Sequence, residues 1–129
     1  MTDSTSETSQ PAGKQKVTPP SASSEITVVE LKAAIDRNED FILLDVRTEE
    51  EFQEAHVEDT YALIPYEEVL GRLDELPADK EKYIYSFCRS GRRSGIVTLQ
   101  LREAGYVHAY NVVGGLLAWG GAGFPLQRQ

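Results

Sequence analysis

The chain has a single cysteine, a single tryptophan and two histidines among its 129 residues. A lone cysteine has no partner within the chain, so no internal disulfide framework is available. That fits a reducing compartment. The histidines, His56 and His108, are widely separated in sequence and do not form a metal-binding motif, so no metal is expected. Long apolar runs are also missing, and none approaches the roughly 18 residues that a membrane span needs. The opening MTDSTSETSQ lacks the basic start and apolar stretch of a secretory signal, and it carries acids but no arginine, unlike a transit peptide. A cytoplasmic location is the expectation. Positive charge is scarce overall, with 13 basic against 21 acidic residues and a net charge of -8. Such a balance disfavours nucleic acid or an anionic membrane as a partner, so any anion must be met by a local concentration of charge.

Apolar residues are unevenly spread. Residues 1–24 are rich in Ser, Thr, Pro and Gln, contain no aromatic, and offer only Met1 and Val17 as aliphatics of any size. Such a segment buries too little to offset its chain entropy, which predicts a disordered tail over residues 1–24. Asp3 and Glu7 balance Lys14 and Lys16 there, so the whole net charge belongs to the remainder. Residues 25–129 are expected to form one domain, since a chain of this size fills one core of ordinary size and not two.

Within that domain, strand and helix patterns alternate. Thr27 and Glu30 have the spacing of a capping box at the head of a helical pattern, VVELKAAIDRN. FILLDV (Phe41 to Val46) is a short, nearly continuous apolar run, as in a strand buried on both faces. Thr48 and Glu51 repeat the capping spacing before the short helix TEEEFQEA. Tyr61 to Ile64 reads as a strand, YEEVLGRLDEL as a helix ended by Pro77, and Tyr83 to Phe87 as a strand. SGIVTLQLREA reads as a helix ending near Gly105, Ala109 to Val113 as a strand, and Leu116 to Trp119 as a helical turn. The alternation and the absence of hairpin signals predict an α/β domain with a parallel sheet.

The scarce positive charge gathers in one place. In YIYSFCRSGRRSGIV, Cys88 ends a strand pattern, and Arg89, Ser90, Gly91, Arg92 and Arg93 follow before the next helix. In a parallel α/β sheet this is the edge where ligands bind. A loop there turns backbone N–H groups toward one point, and the following helix adds its positive N-terminal end. Gly91 permits left-handed angles in a tight curl. The same features that hold an anion also favour a thiolate, which makes Cys88 the candidate nucleophile. The residues expected to hold the anion are Arg89, Ser90, Gly91, Arg92 and Arg93. In a tyrosine-phosphatase loop the arginine would stand at position 94. Here Ser94 stands there and Arg93 comes one place early, so the ring of amides is smaller and better matched to sulfur than to a phosphoryl group.

These residues resemble the rhodanese family, in particular its small single-domain sulfurtransferases. CRSGRRS (Cys88 to Ser94) is similar to that family's active loop, and LLDVRTEEEF (Leu43 to Phe52) to its Asp-x-Arg signature. AHV (Ala55 to Val57) is similar to its Gly-His-Ile segment, with Ala55 in place of the usual glycine, and NVVGGLLAWGGAGFPL (Asn111 to Leu126) to its C-terminal signature. The resemblance implies a single rhodanese-like domain with a five-stranded parallel sheet flanked by helices on both faces. It implies sulfur transfer in two steps through a persulfide on Cys88, from thiosulfate or a similar small anionic donor to cyanide or a thiol. Arg89, Arg92 or Arg93 would bind the sulfonate end. Asp45 and Arg47 would brace the sheet edge as structural support rather than react. No cofactor is required. With one cysteine the acceptor must come from outside, and a protein donor or acceptor fits the same chemistry. Two other readings compete: a persulfide carrier with little activity on thiosulfate, and a phosphatase or arsenate reductase, which loop length and the missing second cysteine disfavour.

Overall fold

The computed structural model describes residues 13–128. Five parallel strands form one sheet: β1 (Glu25–Ile26), β2 (Phe41–Asp45), β3 (Thr60–Leu63), β4 (Tyr83–Phe87) and β5 (Ala109–Val112). Their spatial order is β1-β5-β4-β2-β3. The helices are α1 (Val28–Asp36), α2 (Glu49–Glu54), α3 (Arg92–Glu103) and α4 (Gly115–Gly121). The order places β4 and β2 at the centre, and both are covered on two faces, which explains why FILLD and YIYSF carry no polar alternation.

Alternate residues of each strand feed opposite cores. Ile42, Leu44, Ile84 and Ala109 face α3, while Leu43, Tyr85, Tyr110 and Val112 pack with Leu31 of α1 and Trp119 of α4. The expected capping boxes are both formed: the Thr27 and Thr48 hydroxyls accept from the N–H of Glu30 and Glu51, whose carboxylates accept from the Thr27 and Thr48 N–H. Trp119 donates its Nε1–H to Pro125 O at 2.8 Å. No helix among the described residues is long and apolar enough to cross a membrane.

Three local expectations are corrected. YEEVLGRLDE is a 3-10 stretch (Tyr66–Glu75) interrupted at Arg72, where φ is -130° and ψ is 29°, rather than a continuous α-helix. The sheet's fifth strand is β1, only two residues long and too short to show a period, and it pairs through Ile26 with Val112. The third correction concerns residues 13–24. Residues 1–12 of the expected disordered tail lie outside the described residues. Residues 13–24 instead run along the domain: Gln15 N–H donates to Asn38 O and Asp40 N–H to Gln15 O, both at 2.8 Å. Asn111 N–H donates to Ser24 O at 2.9 Å, and Arg102 Nη2 to Ser23 O at 2.8 Å. This attachment uses the backbone, which composition does not register.

Candidate active site

The site lies at the C-terminal edge of the sheet. Val46 N–H donates to Phe87 O at 2.9 Å, so the residues following β2 run directly beside Cys88. Asp45 and Arg47 form a buried pair there, with Nε and Nη2 donating to the carboxylate at 2.8–3.1 Å. Arg47 also donates through Nη2 to Ala55 O at 2.8 Å and through Nη1 to Glu51 O at 3.3 Å. The pair therefore ties the end of β2 to the middle of α2 and to its C-cap residue, and its remaining hydrogen bonds offset part of its desolvation. Ala55, where the family pattern has glycine, has φ of -167°, extended backbone that alanine adopts without strain. His56 stacks on Phe52 with ring centres 3.9 Å apart, and its Nδ1 lies 2.8 Å from Phe52 O, a packing arrangement.

From Cys88 the chain curls back over its own sulfur. Gly91 takes φ of 100°, the left-handed turn expected at this position, and α3 starts at the next residue. The curl brings Gly91 N–H to 3.1 Å and Ser94 N–H to 3.4 Å from Cys88 Sγ. The Ser94 hydroxyl lies 3.3 Å from the same sulfur. Sγ thus rests at the positive N-terminal end of a twelve-residue helix. Cys88 itself is 0% exposed and belongs to the apolar cluster that includes Val46 and Val97, while the Gly91 and Ser94 donors approach its sulfur. Burial pushes the thiol up, but the Ser94 hydroxyl and the N–H groups of Ser94, Gly91 and Ser90 outweigh it, and the net effect lowers the thiol below its ordinary value.

The three loop arginines separate. Arg93 forms a two-pronged pair with Glu51, at 3.0 and 2.9 Å, which holds the Glu51 carboxyl down to about 2. Glu51, besides closing the capping box, thereby links α2 to the loop. Arg89 and Arg92 are exposed, and among the described residues their side chains make no hydrogen bond or ion pair. Ser90 is exposed, its hydroxyl 3.4 Å from Arg92 N–H. The donors at the sulfur are amides and a serine hydroxyl, and none of the three arginine side chains is hydrogen-bonded to Sγ.

Gly114 and Gly115 follow the last strand pattern at the same sheet edge as Cys88, which in the sequence reads as close backbone approach to the active loop in preference to a plain turn, whereas Asn111 was not legible as a site residue. Gly115 approaches the loop so closely that a Cβ would stand 2.2 Å from Cys88 O, and Leu116 N–H donates to that same oxygen at 2.9 Å. Asn111, opposite Ser86 in the β4–β5 register, accepts at Oδ1 from the Ser94 hydroxyl (2.6 Å) and donates through Nδ2 to Gly91 O (3.1 Å). The pairing joins residues 17 apart, for which the sequence carries no local signal.

A parallel α/β sheet with a short cysteine loop capping the next helix defines the class. The chain matches the Rhodanese-like domain family over residues 27–122 and belongs to that family. It is 34% identical over 102 residues to a sulfurtransferase of Allochromatium vinosum, covering 79% of this chain and 92% of the relative. It is 38% identical over 100 residues to Thiosulfate sulfurtransferase 18 of Arabidopsis thaliana, covering 67% of this chain and 71% of that one. The crystal structure of a rhodanese-like domain protein from Staphylococcus aureus superposes with a TM-score of 0.69 at 32% identity, covering 82% of this chain and 98% of that chain.

Proposed function

We propose that this protein is a sulfurtransferase that carries a sulfane sulfur on Cys88, taking it from thiosulfate or a similar small anionic donor and passing it to an external thiol or cyanide. The observation that carries the reading is the set of N–H and O–H donors from Gly91 and Ser94 converging on the chain's only cysteine sulfur. Such donors favour the thiolate, the form that attacks sulfur. Family membership and relatives named as sulfurtransferases support the same chemistry.

In the first step the Cys88 thiolate attacks the outer sulfur of thiosulfate. A sulfur–sulfur bond forms, the bond to the sulfonate sulfur breaks, and its electron pair leaves with sulfite. The persulfide's outer sulfur carries the charge and is received by the amide ring of the loop from Arg89 to Arg93. Arg89 and Arg92 supply the exposed positive charge that draws in the anionic donor, while Arg93, paired with Glu51, holds the loop. In the second step an acceptor thiolate or cyanide attacks the outer sulfur and Cys88 leaves as thiolate. Because Cys88 is fully covered, a donor reaches Sγ only as the loop yields outward.

Intact-protein mass spectrometry after thiosulfate treatment tests the reading. The expected result is a gain of one sulfur atom, lost on adding cyanide and never seen in Cys88→Ser. No gain in the wild-type protein, or the same gain in Cys88→Ser, overturns it.

A further inference from the structure

The Ser94 hydroxyl has one proton and two claimants. Its oxygen lies 2.6 Å from Asn111 Oδ1 and 3.3 Å from Cys88 Sγ. The Asn111 amide has little choice of orientation: Nδ2 faces Gly91 O, an acceptor only, so Oδ1 faces Ser94 and requires a donor. Ser94 is fully buried, so water does not supply a second donor. While Cys88 is a thiol all demands are met: S–H donates to the Ser94 oxygen, and the Ser94 O–H donates to Asn111. Once the sulfur is charged it has no proton to give, and its best donor is the same Ser94 O–H.

We propose that Ser94 is a catalytic residue whose hydroxyl proton turns from Asn111 Oδ1 to Cys88 Sγ whenever that sulfur bears charge, with Asn111 as the positioning residue that sets how readily it turns. The inference deepens the sulfur-transfer reading and rests on it for its catalytic consequence. Cys88 Sγ is charged twice in the cycle, as attacking thiolate and as the thiolate that leaves when the acceptor takes the sulfur. Between them, in the persulfide, Sγ is bonded to sulfur and the charge lies on the outer atom, so the hydroxyl returns to Asn111. Lowering the basicity of an attacking thiolate also weakens it as a nucleophile, whereas a less basic leaving thiolate departs faster. Ser94 therefore assists sulfur release more than sulfur uptake.

The test needs no sulfur donor for its first arm. The pH midpoint of Cys88 alkylation by iodoacetamide is measured on the reduced, full-length protein. Ser94→Ala is expected to raise the midpoint by about one pH unit, the loss of one hydrogen bond to a charged sulfur less what that bond takes from Asn111. Ser94→Thr, which keeps the hydroxyl, stays near wild type. Asn111→Leu removes the competing acceptor and lowers the midpoint. The other charged groups around the loop, Arg89, Arg92, Arg93, Glu51, Asp45 and Arg47, are the same in every variant. A role confined to packing would move the Ser94→Ala and Asn111→Leu midpoints in the same direction, and that result overturns the proposal. So does a Ser94→Ala midpoint equal to wild type; should Asn111→Leu not fold, the Ser94→Ala and Ser94→Thr pair decides. The second arm is single-turnover transfer from the persulfide to cyanide, in which Ser94→Ala is expected to slow release more than uptake. If the midpoints move as stated but thiosulfate never loads Cys88, the hydroxyl switch stands and the sulfur-transfer reading falls.

Discussion

Gly115→Ala attacks the Cys88 loop from β5's side of the cleft, and its cost can be worked out in two parts. Gly115 has φ of +51°, in the left-handed region. An L residue pays about 1–2 kcal/mol there. The added Cβ would stand 2.2 Å from Cys88 O and 2.7 Å from Arg89 O, both backbone atoms that no side-chain rotation moves aside. Restoring normal contact needs a separation of about 1 Å, and such overpacking costs about 1–3 kcal/mol more. The total, about 2–5 kcal/mol, lowers Tm by roughly 8–20 °C in a domain of this size. Gly123→Ala is the control, because Gly123 has φ of +78° with nothing within 4 Å of a Cβ, so it pays only the first part. The parting also stretches the bonds from Leu116 N–H to Cys88 O and from Leu117 N–H to Arg89 O, at 2.9 and 3.1 Å, and so displaces the loop under the sulfur. Thermal denaturation followed by circular dichroism gives the stability, and the alkylation midpoint of Cys88 gives the state of the site. Gly115→Ala melting within about 2 °C of Gly123→Ala would refute the close-approach argument.

Arg47→Met leaves the Asp45 carboxylate buried without its partner and is expected to cost about 3–5 kcal/mol in denaturant unfolding, part of it regained in Asp45→Leu/Arg47→Met; a single variant as stable as wild type would contradict the bracing role. Glu51→Gln removes the carboxylate paired with Arg93 and leaves that cation uncompensated beside the loop, so KM for thiosulfate should fall several-fold while that for an uncharged donor holds. In the same variant, the pH dependence has a definite sign. The Glu51 carboxyl is depressed from 4.5 to about 2, so its contribution to stability is complete above the unfolded value and lost as pH falls through about 2. The stability difference between wild type and Glu51→Gln should therefore shrink in acid, and a difference that grows below pH 4 counts against the pairing. Arg92→Ala should raise KM for thiosulfate more than for an uncharged donor; equal effects in steady-state kinetics would remove Arg92 from anion recruitment.

Much of the fold could be read from local pattern. The buried runs at Phe41–Asp45 and Tyr83–Phe87, and the two capping boxes, are dictated by residues at most three or four apart along the chain, so their signal survives in the sequence. Elements that lack such a signal were missed. β1 is two residues long and exists because β5 offers it an edge. Residues 13–24 are attached through backbone groups that every residue shares. The 3-10 stretch differs from an α-helix in backbone angles at Arg72 that the apolar spacing does not encode.

At the site the division follows the same physics. Local order along the chain is enough to place one cysteine between a buried strand and a helix, a glycine where the chain turns with positive φ, and a cluster of cations in an otherwise acidic protein. Which groups touch the sulfur depends on contacts made across the folded sheet edge. Glu51 reaches Arg93 across 42 residues and takes it out of the group of unpaired cations, while Asn111 reaches Ser94 and competes with Cys88 for one hydroxyl proton. Hydrogen bonds form over about 3 Å of space, and it is the strand register of the folded sheet, not distance along the chain, that brings those atoms within range.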